Sequence, residues 1–179
     1  MLTFELLNQA SRDTIGALVR ESFTASADET EGRLVGGLAE SLALAIDDDE
    51  VVCVGALDSD VLAGVIFFSR LHFAEPVSVY LLSPVAVATR RQRSGVGQSL
   101  INAGIAELKR RAAAVVVTYG DPDYYSKTGF QPLSESVLQA PLPLSMPHGW
   151  LGQSLDAESV PALTGRPACL EAFDDPSLW

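Results

Sequence analysis

A glycine-containing loop, Thr89–Gly97, separates an apolar segment from an amphipathic one and holds the residues best suited to bind an anion. The candidate contacts are Gln92, Arg93, Ser94, Gly95, Val96, Gly97 and Gln98. The first four N–H groups of a helix have no partner within it, and the helix dipole makes this end positive. Glycines let a phosphate approach the backbone closely. The pattern predicts a phosphate-binding loop, with an ordinary glycine-rich turn as the alternative.

The charge pattern supports an anion site in this part of the chain. The sequence has a formal net charge of −11, which argues against a nucleic-acid partner. Between Pro76 and Tyr119, however, six basic residues stand against one acidic residue, Glu107. A basic island in an acidic chain indicates a site for a discrete anion. We assign Lys109–Arg111 to a solvated helix end, where the dipole stabilises cations.

Other kinds of chemistry have little support. Two cysteines, Cys53 and Cys169, and two histidines, His72 and His148, are too few for a dedicated metal site, so we expect no metal. No apolar run has the length of a membrane-spanning helix, and the first residues lack the features of a signal peptide. These observations predict a cytoplasmic protein with no membrane partner.

Strands and helices must position the loop. Apolar alternation predicts strands, and apolar residues at helical spacing predict helices. The predicted strands cover 1–6, 51–57, 61–73, 78–88 and 114–119. One predicted helix begins at Ser11, and the other predicted helices cover 31–45, 98–112 and 124–127. Pro84 inside the fourth strand indicates an edge or a bulge.

The last part of the chain is Pro-rich and weakly periodic from Gln139 onward. This composition predicts an irregular extension over 139–179, with a strand only near Cys169-Leu170. We expect the extension to pack on a single domain that comprises residues 1–179.

Two motifs in this order resemble a known family. Gln92-x-x-Gly95-x-Gly97, preceded by Val85-Ala86-Val87, is similar to the coenzyme A signature of the GNAT superfamily of N-acetyltransferases. The segment from Tyr119 to Phe130 resembles the closing motif of that family, in a form most similar to the small bacterial YhbS-like branch. The resemblance implies an α/β (α+β) fold with a mixed, mostly antiparallel central sheet, a splayed pair of fourth and fifth strands, and flanking helices.

The resemblance also implies acetyl-CoA as cosubstrate and gives roles to the first motif. The backbone of Val85, Ala86 and Val87 would pair with the pantetheine arm, and an N–H near Val87 would polarise the thioester carbonyl. The pyrophosphate would lie on the N–H groups of Arg93–Gln98. Two neighbouring side chains, Arg90 and Arg91, would either reach the 3′-phosphate of coenzyme A or face solvent.

Tyr125 matches the family tyrosine that faces the coenzyme A sulfur, where a phenol can protonate the leaving thiolate. The alternative is a buried aromatic residue whose hydroxyl is satisfied locally. No carboxylate lies within Ser78–Val87 to serve as general base. His72 and Glu75 precede this strand and are the candidates, with an ordinary surface role as the alternative for each. A water relay or an acceptor that is already deprotonated would also suffice.

Two functions follow from the resemblance. The first is an N-acetyltransferase in which a primary amine attacks acetyl-CoA directly in a ternary complex. The acceptor would be a small-molecule amine or an amine of a protein, and the acidic remainder of the chain favours a cationic acceptor. The second is an acetyl-CoA-binding sensor or scaffold with little or no catalysis. Dimers are common among such relatives, so a homodimer is a further expectation.

Overall fold

The computed structural model describes residues 1–179 and contains seven strands and four α-helices. The strands are β1 (Leu2–Leu6), β2 (Val51–Asp58), β3 (Val61–Leu71), β4 (Val79–Val87), β5 (Val115–Tyr119), β6 (Gln131–Pro132) and β7 (Trp150–Ser154). The helices are α1 (Arg12–Ser26), α2 (Glu29–Leu44), α3 (Val96–Arg110) and α4 (Pro122–Tyr125). None of the helices combines the length and the apolar character that a membrane crossing requires.

The seven strands form one sheet in the order β1-β2-β3-β4-β5-β7-β6. Strands β4 and β5 are parallel, whereas β1 pairs with β2, and β7 pairs with β5 and β6, in antiparallel fashion. A parallel pair needs a crossover, and α3 supplies it between β4 and β5. This mixed, mostly antiparallel sheet with helices confirms the predicted fold class.

The chain forms two compact units. The first comprises Met1–Phe68 and Pro84–Gly104, and the second comprises Ser69–Ser83 and Ile105–Trp179. Strands β3 and β4 and helix α3 contribute residues to both units.

In the first unit, α1 and α2 pack closely because a glycine lies where they meet. A Cβ atom on Gly32 would collide with Thr24 Oγ1, so a larger residue would push the helices apart. Helix α2 begins after Asp28, whose carboxylate accepts a hydrogen bond from Glu31 N–H at 2.7 Å. This capping bond satisfies one of the N–H groups that the first helical turn leaves unpaired.

Helix α3 begins at Val96, two residues earlier than the predicted start at Gln98. The N–H of Ser99 donates to the carbonyl of Gly95 at 3.0 Å and closes the first turn. Gly95 has a φ of +84°, in the left-handed region that glycine adopts without steric cost. The prediction placed Gly97 in the loop, but this residue belongs to the first turn of the helix.

In the second unit, the extension from Gln139 contains a strand that the sequence analysis missed. Residues Trp150–Ser154 pair with β5 along its whole length. The strand is short and includes Gly152, so its own pattern is weak, and pairing with β5 stabilises it. The strand predicted near Cys169-Leu170 is reduced to a single bridge between His72 and Ala168, with N–H to carbonyl distances of 2.9 Å in both directions.

An aromatic cluster holds the end of the extension within the second unit. The ring of Trp179 stacks on Tyr119 at a centroid distance of 6.0 Å and meets the edge of Trp150 at 6.2 Å. Its indole N–H donates to the carbonyl of Phe173 at 2.9 Å. Because Trp179 is only 5% exposed, most of its apolar surface is removed from water in this cluster.

Candidate functional site

The predicted phosphate loop has an unusual backbone. Arg93 and Gly95 both have positive φ angles, +58° and +84°, so the chain turns sharply twice before α3 begins. A Cβ atom built on Gly95 would meet nothing within 4 Å, which means that the backbone here borders open space. The next N–H groups, of Val96, Gly97 and Gln98, precede the first helical hydrogen bond, which Ser99 makes. The loop therefore offers backbone donors to an incoming anion.

The side chain of Gln92 holds this loop to the end of β4. Its amide nitrogen lies 3.2 Å from the carbonyl oxygen of Val87 and 3.3 Å from Ser22 Oγ on α1. The hydroxyl of Ser94 donates to the carbonyl of Arg91 and tightens the same turn. The amide of Gln92 is thus engaged with protein atoms, and the residue positions the loop through them.

The three arginines of the loop differ in their surroundings. Arg91 Nη1 lies 3.4 Å from Asp58 Oδ2, at the end of β2. The side chains of Arg90 and Arg93 are exposed. Positive charge is therefore available at the loop from Arg90 and Arg93, while Arg91 is balanced in part by a carboxylate.

The pairing between β4 and β5, called here the β4–β5 ladder, stops before the end of β4. The paired residues run from Val79 with Val115 to Leu82 with Thr118, whereas β4 continues to Val87. Just beyond the strand, the N–H of Ala88 donates to Ala63 of β3 at 2.8 Å. Backbone groups alternate in direction along a strand, so those of Val85 and Val87 point away from β3.

Tyr125 is linked to the last paired position of these two strands. Its phenol hydrogen-bonds with Thr118, and Thr118 Oγ1 donates to the carbonyl of Leu82 at 2.9 Å. Burial raises the pKa of Tyr125 to about 12, and the bond with Thr118 opposes part of this rise. The phenol is therefore protonated throughout the neutral range.

The motif around Tyr125 owes its spacing to packing. The Tyr125 ring meets Phe130 edge to face at 5.6 Å and Tyr124 at 5.1 Å. A Cβ atom on Gly120 would lie 2.7 Å from Tyr125 Cε2, so only glycine fits there without moving the ring. Gly129 has a φ of +95° and turns the chain from the helical piece toward Phe130. Gly120 belongs to the motif that the sequence predicted, whereas no sequence pattern indicated Thr118.

The two candidate bases precede β4, and each contacts the extension. The carboxylate of Glu75 accepts hydrogen bonds from the N–H of Thr164, at 2.9 and 3.1 Å, and from its hydroxyl. These bonds lower the pKa of Glu75, with the hydroxyl bond as the largest cause. His72 is exposed, and its backbone makes the bridge to Ala168. The structure brings together no group of three or more side chains suited to hold a metal ion.

A cavity of about 550 Å³ lies beside the end of β5, in the second unit. It is lined by Tyr119, Gly120, Asp121, Pro122, Ser145, Met146, His148, Gly149, Ser177, Leu178 and Trp179. Gly120 connects this cavity to Tyr125, because it lines the cavity and also contacts the Tyr125 ring. The extension contributes most of the walls, which no local sequence pattern indicated.

Two proteins of Escherichia coli strain K12 are similar to this chain. It is 33% identical to the uncharacterized N-acetyltransferase YjhQ over 121 residues, which are 64% of this chain and 66% of that protein. It is 32% identical to the uncharacterized N-acetyltransferase YhbS over 122 residues, 65% of this chain and 66% of YhbS. The matched part thus spans just under two thirds of the length of each relative.

Solved structures share the fold over nearly the whole chain. YhbS from Escherichia coli, in complex with CoA, has a TM-score of 0.78 at 24% identity and covers 97% of this chain and 92% of its own. A GNAT family acetyltransferase from Brucella melitensis, in complex with acetyl-CoA, has a TM-score of 0.75 at 23% identity, with coverages of 97% and 99%. At these identities the likeness concerns the fold alone.

The model of the Acetyltransferase (GNAT) family matches residues 12–130. This range includes α1, the phosphate loop and the segment from Tyr119 to Phe130. It covers well over half of the chain, and the resemblance read from the two motifs is confirmed. The chain belongs to the acetyltransferase (GNAT) family.

Proposed function

We propose that this protein is an N-acetyltransferase that transfers the acetyl group of acetyl-CoA to a primary amine by direct attack in a ternary complex. The observation that carries the proposal is the position of Tyr125. Its buried, protonated phenol is connected through Thr118 to Leu82, at the point where the β4–β5 ladder ends. An acid at this point suits the departure of a thiolate.

The phosphate loop supports the coenzyme A half of the proposal. Gly95 borders open space, and the N–H groups of Val96, Gly97 and Gln98 are not used within α3. The pyrophosphate would be held by these donors, with added charge from Arg93 and its neighbour Arg90. Solved neighbours of this fold are complexes with CoA and with acetyl-CoA, which supports the same cosubstrate here.

The free end of β4 supports the position of the pantetheine arm. Since the N–H of Ala88 donates to β3, alternation along the strand directs the backbone groups of Val85 and Val87 away from β3 and those of Ala86 toward it. The carbonyl of Val87 already accepts from Gln92, so we assign its N–H to the thioester carbonyl oxygen. The pantetheine arm then pairs with the backbone of Val85 and Val87. Ala86 lies between them and contributes to the site by holding this part of the strand to β3.

The proposed reaction needs a single transfer step. The amine nitrogen attacks the thioester carbonyl carbon, and the C–S bond of the resulting tetrahedral intermediate breaks. The thiolate takes a proton from Tyr125, and the proton lost by the amine restores the phenol through solvent. An ammonium must first release a proton, and a water relay or His72 would take it. Glu75 is the weaker candidate, since Thr164 occupies its carboxylate and lowers its pKa.

The second candidate function is an acetyl-CoA-binding sensor or scaffold. The absence of a carboxylate from Ser78–Val87 favours it, because many enzymes of this kind use a base on that strand. The position of the Tyr125 phenol, at the point where the β4–β5 ladder ends, favours the enzyme. In both cases we propose a cytoplasmic protein that does not bind nucleic acid, in keeping with its net charge of −11.

Calorimetry with acetyl-CoA, followed by thiol release with a panel of amines, tests the proposal. We expect binding, turnover with at least one amine, and a loss of kcat of about 100-fold in Tyr125→Phe with unchanged acetyl-CoA affinity. Tyr124→Phe is the matched control, since it removes the neighbouring hydroxyl. Binding without turnover on any amine would support the sensor. Absence of binding would contradict both functions.

A further inference from the structure

The cavity beside β5 has the size of a small-molecule site. Its volume of about 550 Å³ falls in the range of roughly 300–1,000 Å³ that such sites occupy. All of its walls belong to the second unit, and they combine the end of β5 with the extension. None of these residues has a role in the coenzyme A site described above.

Tyr119 offers this cavity apolar ring surface, and Trp179 packs against it. The hydroxyl of Tyr119 accepts from the N–H of Met146 at 2.8 Å and lies 3.2 Å from Ser145 Oγ. The indole N–H of Trp179 is used by Phe173. Trp179 stacks on Tyr119 with a tilt of only 19° and is itself 5% exposed, so it fixes the half-buried Tyr119 ring, which presents the aromatic surface. A flat ligand group would bind there by ring contacts.

The charge of the cavity selects the sign of a ligand. Asp121 is the one carboxylate side chain among the eleven lining residues, His148 is the one basic side chain, and no lysine or arginine lines the cavity. Asp121 is exposed, and one of its oxygens accepts from the N–H of Asp123 at 2.9 Å, which fixes the carboxylate at the start of α4. A carboxylate that lines the same cavity as an aromatic residue favours a cation over an anion.

Part of the cavity wall lies next to Tyr125. Gly120 precedes Asp121 and contacts the Tyr125 ring, so a group next to Asp121 would be near the proposed acid. We propose that this cavity is the acceptor site, and that it takes a small primary amine with an aromatic or other flat unsaturated group. The ring of the amine lies along Tyr119, and its ammonium lies at Asp121. This inference rests on the proposed function for its chemistry, but binding alone also tests it.

The test uses 2-phenylethylamine as probe, with butylamine as the amine without a ring and 3-phenylpropionate as the ring with the opposite charge. Binding to the protein saturated with coenzyme A is measured by calorimetry, and turnover with acetyl-CoA is measured by thiol release. We expect 2-phenylethylamine to bind at least about tenfold more tightly than either comparison compound. Equal affinity for 2-phenylethylamine and butylamine, or no binding of 2-phenylethylamine, would overturn the inference.

Met146 allows a charge to be placed at the cavity without disturbing the core, because it is 56% exposed. We expect Met146→Lys to weaken 2-phenylethylamine binding and raise its KM about tenfold, while Met146→Leu changes either by less than about twofold. Asp121→Asn keeps the helix cap, since asparagine caps as well as aspartate, but removes the charge. It is expected to reduce affinity for the cationic probe about tenfold. If both charge changes leave the probe's affinity unchanged, the acceptor does not bind here.

The two proposals can fail separately. Binding of 2-phenylethylamine that Met146→Lys abolishes, with no thiol release from any amine, would leave the cavity assignment intact and contradict the enzyme. Turnover of amines that shows no preference for the ring and no response to Met146→Lys would leave the enzyme intact and overturn the cavity assignment. Coenzyme A affinity, measured in each variant, is expected to be unchanged.

Discussion

The side-chain amide of Gln92 lies 3.2 Å from the carbonyl oxygen of Val87, and this bond joins the phosphate loop to the free end of β4. The loop is proposed to hold the pyrophosphate, and the strand end is proposed to hold the pantetheine arm. One side chain thus joins the two parts of the proposed cosubstrate site. The second bond of the amide, to Ser22, extends this support to α1.

Removing this side chain is expected to weaken cosubstrate binding more than catalysis. Gln92→Ala loses two hydrogen bonds, each worth about 0.5–1.5 kcal/mol, so we expect the KM for acetyl-CoA to rise about tenfold with little change in kcat. Hydrogen exchange of the loop amides should also become faster in the absence of any ligand. Asn102→Ala, an exposed change on α3, is the control and should alter neither quantity. A normal exchange rate in Gln92→Ala would argue against the positioning role.

Two glycine substitutions should have opposite effects on stability. Gly95 has a φ of +84°, so Gly95→Ala forces an unfavourable backbone and is expected to lower the free energy of unfolding by about 1 kcal/mol. Gly37 lies within α2 with nothing near its Cβ position, so Gly37→Ala should raise that free energy by about 0.5–1 kcal/mol. Urea unfolding of the three proteins measures both changes. Gly95→Ala should also raise the KM for acetyl-CoA, and Gly37→Ala should not.

The hydroxyl of Thr118 is expected to tune the proposed acid. Thr118→Val keeps the shape of the side chain but removes the bond that lowers the pKa of Tyr125, so this pKa should rise further. We expect kcat to fall about fivefold to tenfold with unchanged coenzyme A affinity. Thr128→Val is the matched control, because the Thr128 hydroxyl donates to the backbone carbonyl of Tyr125 and not to its phenol. Equal losses of kcat in both variants would point to a general loss of structure.

The raised pKa of Tyr125 predicts a loss of stability at alkaline pH. The phenol ionises near pH 10 in the unfolded chain and at about 12 in the folded protein. Between these values the unfolded state binds fewer protons, so the free energy of unfolding falls as the pH rises. Below pH 10 the contribution is fully present. We expect the Tm of the wild type to fall more steeply above pH 10 than that of Tyr125→Phe, and parallel curves would contradict the burial of this phenol.

The sequence by itself determined the parts of this protein that depend on neighbouring residues. The spacing of Gln92, Gly95 and Gly97 and the position of Tyr125 before Phe130 were sufficient to predict the family and the order of elements. These motifs are local because a turn, a helix start and a short aromatic contact each involve only a few consecutive residues. Even so, the start of α3 was predicted two residues late, since the positive φ of Gly95 decides it.

Tertiary structure alone decided which distant residues meet. The strand Trp150–Ser154 exists because β5 offers it a partner, and its own short pattern could not predict it. Likewise, the bond from Gln92 to Ser22 joins positions 70 residues apart. The proposed acceptor cavity arises because the extension returns to β5 and stacks Trp179 on Tyr119. Such contacts depend on the path of the whole chain, so no local spacing of residue types records them.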